Sequence, residues 1–184
     1  ESIDLLSVVL TLRPLQAQMV VPLLGRASHA LLLNAVQWAD AALAEQVHAG
    51  SEARPFTASG LIGVSRAIGL RLDRTYTLRF TALTAPVAQA LLAAIKADAS
   101  PVHVGAEVRL ADANFRIEAI DPGASMARPH PWAALTRYED LSAPWLLGRV
   151  APTKHVTLHF ASATAFKSSG RHVPVPLPAW VFGS

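Results

Sequence analysis

Tyr76-Thr77-Leu78-Arg79-Phe80-Thr81-Ala82, running on through Leu83-Thr84-Ala85-Pro86-Val87, decides the fold. Tyr76, Leu78 and Phe80 alternate with Thr77, Arg79 and Thr81, so Thr75–Ala82 reads as a strand with one apolar face and one polar face. Two residues later Thr84 caps a helix whose buried stripe is Val87, Leu91, Leu92 and Ile95. A half-buried strand that feeds an amphipathic helix is one arm of an α+β layer.

Upstream, Leu6, Val8, Leu10 and Leu12 alternate, which predicts a strand over residues 4–13. Pro14 and Pro22 bound a connector. Ser28 is the expected cap of a helix in which Leu31, Leu32, Ala35, Val36, Ala39, Ala42, Leu43 and Val47 recur at helical spacing, closed by Gly50. Asp40 offers an alternative cap that would divide this segment into two helices. Residues 55–70 read as weak β structure.

Downstream, Val102, Val104, Ala106, Val108 and Leu110 alternate as a strand, Asp112-Ala113-Asn114 makes a turn, and Phe115–Ile120 returns. Residues 121–146 read as a proline-interrupted loop, and Lys154–Phe160 as a final strand. The order is β-α-β-β-α-β with extra strands. It predicts an α+β, ferredoxin-like (RRM-like) βαββαβ domain with an added β-hairpin.

A chain of 184 residues suits one such domain. It has no cysteine, which excludes disulfides and thiolate metal sites. No apolar run approaches the ~18 residues of a membrane span, so no membrane partner and a cytoplasmic location are expected. Of 16 basic residues 13 are arginine, against 13 acidic ones. That balance fits a nucleic-acid partner without requiring one, and arginine's planar fork suits phosphate. The mean hydropathy of +0.33 at 16% charge has two readings: a hydrophobic face that meets a partner domain, or an alanine- and leucine-rich composition. Phosphate-loop, dinucleotide, zinc-protease and nucleophile-elbow motifs are all missing from the sequence.

Three features together resemble the CRISPR repeat-processing endoribonucleases of the RAMP superfamily. One is the end of the chain, His155-Val156-Thr157-Leu158-His159-Phe160-Ala161-Ser162-Ala163-Thr164-Ala165-Phe166-Lys167, followed by Val173-Pro174-Val175-Pro176-Leu177-Pro178. Another is Val47-His48-Ala49-Gly50-Ser51-Glu52-Ala53-Arg54-Pro55-Phe56-Thr57-Ala58-Ser59: a histidine at a helix end, a polar loop, a basic residue and a Phe-Thr-x-Ser strand. The third is the order of elements, with Leu33-Asn34-Ala35-Val36 in the first helix. The resemblance implies an N-terminal ferredoxin-like domain spanning residues 1–184, with a second such domain of the family expected beyond this chain.

The resemblance further implies a metal-independent endoribonuclease of antiviral defence. It would cut precursor CRISPR RNA within its repeats by 2′-hydroxyl attack and need no cofactor. The alternative is a non-catalytic RAMP-type subunit that binds RNA beside other CRISPR effector subunits. By resemblance His48 falls on the catalytic histidine and Arg54 on the site's basic residue. Some members place a tyrosine where Leu33 stands, so that hydroxyl's contribution is missing here or comes from elsewhere. The implied partners are CRISPR repeat RNA, the protein's own C-terminal domain and effector subunits.

A histidine titrates near neutral pH and can exchange a proton, and an arginine can hold a phosphorane's charge. His48 can also serve as an ordinary helix C-cap and Arg54 as a solvated charge. His29 is a second acid-base candidate. On one straight helix it would lie roughly 28 Å from His48 at ~1.5 Å per residue, too far to share a site unless the helix breaks near Asp40. His155 and His159 would lie about 13 Å apart on a strand, so they share a face with Thr157 but no metal. Lys167 and Arg171 flank Ser168-Ser169-Gly170 as a basic hairpin suited to gripping RNA phosphates.

Overall fold

The structure is a computed structural model and describes residues 3–19, 24–49, 54–65, 67–124, 129–151, 153, 155, 157–158, 166–168 and 171–173. Contacts divide the chain into two compact units, Glu1–Val150 and Ala151–Ser184.

In the first unit the elements follow the order β1 (Leu5–Pro14), α1 (Gly25–Ala39), α2 (Ala41–Ala49), β2 (Phe56–Ala58), β3 (Tyr76–Ala82), α3 (Ala85–Lys96), β4 (Glu107–Leu110), β5 (Ala113–Asp121), β6 (Ala134–Thr136) and α4 (Tyr138–Leu146). The sheet is antiparallel in the order β2-β3-β1-β5-β4, with β6 beside the start of β1. The strands β2, β3, β1 and β5 reproduce the ferredoxin-like arrangement. The added hairpin is β4–β5, whose outer strand extends the sheet.

The alternation read in the sequence is observed in β3, whereas in β1 Ser7 and Val9 on the other face are buried as well. Leu6, Val8, Leu10 and Leu12 of β1 are buried in one core with Tyr76, Leu78, Phe80 and Ala82 of β3, and with Leu32, Val36, Val87 and Leu91 of the helices. Phe80, Phe115 and Leu10 are among its largest fully buried side chains. Thr77, Arg79 and Thr81 lie on the opposite face, where Thr57 and Thr81 share a hydroxyl hydrogen bond. Part of that face is crossed by the segment before β6: Ser7 Oγ donates to the Trp132 carbonyl and accepts from Arg79 Nε at 2.8 Å. Asp121, also buried, accepts from the amides of Gly123 and His130, tying the segment's ends together.

The register of β1 against β5 shifts between Thr11 and Leu12, where Glu118 is the extra residue. The bulge brings the Glu118 carboxylate to the Arg13 guanidinium, whose Nη2 lies 3.1 Å away.

Several expectations are corrected. The first helix begins at Gly25, and Ser28 is no cap; its buried hydroxyl donates back to the Leu24 carbonyl at 2.9 Å. The strand expected from Val102 starts only at Glu107, because residues 101–105 turn through Gly105 at φ 93° and leave Val104 exposed. The hairpin turn sits one residue early: Ala111 takes φ 53° and Ala113 already pairs with Leu110. The loop expected over 121–146 holds β6 and α4, the latter despite Pro144.

The second unit holds a two-stranded antiparallel hairpin, β7 (Phe166–Ser168) and β8 (Arg171–Val173). The final strand expected over Lys154–Phe160 is not found: residues 155, 157 and 158 lie in no strand, and the remaining four lie outside the described residues.

Candidate functional site

Asp40 breaks the first helical segment. Its backbone is extended, φ −154° and ψ 99°, while its N–H still donates to the Val36 carbonyl at 2.7 Å and so completes α1. Its carboxylate then accepts from the Leu43 amide at 2.9 Å and its carbonyl from the Ala44 amide at 3.1 Å, opening α2. A single residue therefore closes one helix and caps the next. The break required for His29 and His48 to share a site is present.

Between α1 and α2 lies a groove of about 460 Å³. Leu33, Asn34 and Gln37 line it from α1, and Ala44, Glu45, His48 and Ala49 from α2. His48, in the last turn of α2, is exposed. Leu33, where some members of the resembled family carry a tyrosine, faces the same groove.

One turn before Leu33 on α1, the imidazole of His29 packs on the ring of Phe56, with centroids 5.2 Å apart and planes tilted by 41°. Phe56 is buried and pairs with Ala82 of β3, so this contact ties α1 to the edge of the sheet. Arg54 is exposed two residues earlier. Next to it, the Pro55 carbonyl accepts the Leu83 amide at 2.8 Å, which anchors that stretch.

Two of these groups act on His29. Burial is the largest influence holding the His29 pKa below its ordinary value of 6.5, followed by the charges of Arg54 and then His48. The charges of Arg54 and His48 thus reach the His29 imidazole across the α1–α2 break.

Among the described residues no group of three or more His, Asp or Glu could hold a metal ion. His155 is exposed, and His159 lies outside the described residues. The hairpin expected around Lys167 and Arg171 is present, with Lys167 opposite His172 and Ser168 opposite Arg171. Among the described residues no helix is long and apolar enough to cross a membrane.

Sequence reading missed Phe56 as the support of His29, and Asn34, Gln37 and Glu45 as walls of the groove. No local signal marks them. The first contact spans 27 positions, and exposed polar residues on a helix are the ordinary case.

Residues 5–85 match the family model of the CRISPR Cas6 N-terminal domain. The chain is similar to the solved structure of a Cas6 product complex, with 27% identity and a TM-score of 0.60, over 98% of this chain and 62% of that one. It also shares its fold with Thermus thermophilus Cas6, with 23% identity and a TM-score of 0.56, over 97% of this chain and 57% of that one. The chain therefore spans less than two thirds of the length of these relatives. No curated protein matches it. Over residues 5–85 the chain is thus similar to the CRISPR Cas6 N-terminal domain, and it shares the ferredoxin-like fold of the solved Cas6 structures.

Proposed function

We propose that this chain is the N-terminal, catalytic-residue-bearing part of a metal-independent endoribonuclease that cuts precursor CRISPR RNA within its repeats. The observation that supports it is the break at Asp40, which puts His48 of α2 in a groove with Leu33 of α1, one turn from His29.

The proposed chemistry assigns each group a task. His29, favoured in its neutral form, takes the proton of the 2′-hydroxyl. The 2′-oxygen bonds to the adjacent phosphorus and the bond from phosphorus to the 5′-oxygen breaks. His48 donates a proton to the departing 5′-oxygen, leaving a cyclic 2′,3′-phosphate and a free 5′-hydroxyl. Arg54 holds the charge that builds on the phosphorane. His29, one turn from Leu33 on the same helix face, supplies the proton-handling group that some family members place at that position.

Lys167 and Arg171, on the β7–β8 hairpin, are the proposed phosphate grips. A second ferredoxin-like domain completes the RNA-binding surface in the whole protein, so the 184-residue chain alone binds and cuts repeat RNA weakly.

The test is cleavage of repeat RNA in EDTA by the two-domain protein, with and without His48→Ala. A single cut ending in a cyclic phosphate, lost in the variant, supports the proposal. Unchanged cutting refutes the role of His48. No cutting by either protein favours the second reading, a non-catalytic RNA-binding subunit among CRISPR effector proteins. That reading draws its support from Leu33, an apolar side chain in the groove.

A further inference from the structure

The groove at His48 is not the only one that Asn34 lines. On the other flank of α1 a second groove of about 530 Å³ lies between that helix and the turn and strand 101–109. Asn34 lines both, so the two meet at its side chain. The α1 wall is Ala27, Ala30, Leu31 and Asn34, the two alanines leaving room against the backbone. The opposite wall carries His103, Glu107 and Arg109.

These groups are built for recognition. His103 Nδ1 lies 2.7 Å from the Ser100 carbonyl. A carbonyl only accepts, so Nδ1 carries a proton and the neutral ring keeps Nε2 as an acceptor. Ser100 is itself fixed, its buried hydroxyl donating to the Ala94 carbonyl at the end of α3 and accepting the Val102 amide. The Glu107 carboxylate is paired with Arg116 at 2.8 Å. The Arg109 side chain is 71% exposed, with its nearest carboxylate, Asp112, 3.8 Å away. Asn34 is exposed, so its amide can both donate and accept.

We propose that this groove seats an unpaired ribonucleotide beside the cleavage site, its base edge on Asn34 and His103 and its phosphate on Arg109. The inference rests on the RNA reading above. The volume suits one small ligand. An amide and an imidazole offer the donors and acceptors that read a base edge, and a base reaches a concave site only when unpaired. A duplex keeps its base edges in its own grooves, where they cannot enter a concave site.

The test uses the 184-residue chain at low salt with a fluorescein-labelled single-stranded RNA containing 4-thiouridine. Light-induced crosslinks are expected in residues 27–34 and 101–109. His103→Ala combined with Asn34→Ala is expected to weaken binding about tenfold, the loss of roughly two hydrogen bonds. Arg109→Ala is expected to weaken binding and to flatten its salt dependence by about one charge. Arg109 is exposed, so this variant keeps the proposal falsifiable if the double variant fails to fold. Arg54→Ala serves as the reference. If it weakens binding while the groove variants do not, the groove is refuted and the RNA reading stands. If the unmodified chain neither binds nor crosslinks at low salt, the groove is refuted, while the RNA reading is decided by the cleavage test on the two-domain protein. Equal competition by double-stranded RNA also refutes an unpaired nucleotide.

Discussion

Replacing Asp40 by alanine should loosen α2 without unfolding the sheet. The helix has nine residues and one buried side chain, Ala44, with Leu43 and Val47 half-buried on the core. A helix that short is marginal by itself, so its first turn depends on the carboxylate that accepts the Leu43 amide at 2.9 Å. Loss of such a cap costs about 1 kcal/mol, or roughly fivefold in the local opening equilibrium. Amide hydrogen exchange over residues 43–49 should therefore accelerate about fivefold in Asp40→Ala and stay near native in Asp40→Asn. Core amides of β1 and β3 report global unfolding and should accelerate less. Two results would refute the reasoning: native exchange in α2, or equal acceleration of α2 and the central strands. The first would mean that packing alone holds the helix, the second that α2 opens only with the whole domain.

Other outcomes follow from single contacts. Gly69 sits at φ 72° with its missing Cβ 2.5 Å from the Gln18 carbonyl, so Gly69→Ala should cost about 2 kcal/mol or more in denaturant unfolding. Ser7→Ala leaves Arg79 Nε and the Trp132 carbonyl without their shared hydroxyl and should cost about 1–3 kcal/mol in thermal melts; a change within a few tenths would show that water replaces it. The folded His29 imidazole titrates below its unfolded value of 6.5. Its contribution to stability is therefore present above pH 6.5 and lost as the pH falls through the lower folded pKa. In Arg54→Ala an NMR titration should find His29 closer to 6.5, though not at it, because burial is the larger cause. An unmoved titration would separate Arg54 from the site.

The central sheet was legible because its strands carry strict alternation. Leu6 to Leu12 and Tyr76 to Ala82 declare which face meets the helices; burial alternates in β3 as expected, while in β1 Ser7 and Val9 are buried on the other face too. Legibility failed where a turn interrupts an apolar period. Val102, Ala106, Val108 and Leu110 all reach the core, yet only the last two belong to a strand, because Gly105 reverses the chain between them. It failed again over 134–146, where β6 is only three residues long and pairs with β1 more than 120 positions away. α4 buries none of its residues, so no apolar stripe announces it, and Pro144 argues against a helix until the backbone is seen.

The site depended on a choice the periodicity leaves open. Leu31 to Val47 fits one long helix as well as two short ones, since an apolar stripe continues across a break if the second helix also faces the core. Only the local chemistry of Asp40 separates the cases: a short acidic side chain that accepts the amide three residues on favours an extended backbone at its own position. In one straight helix His29 and His48 would be solvated at opposite ends. With Asp40 extended, α2 folds back beside α1, His48 enters the groove lined by Leu33, and the charges of Arg54 and His48 reach the His29 ring that Phe56 holds. The placement of His48 beside α1 is therefore a consequence of helix capping, which is why variants of Asp40 should disturb His48 before they disturb the core.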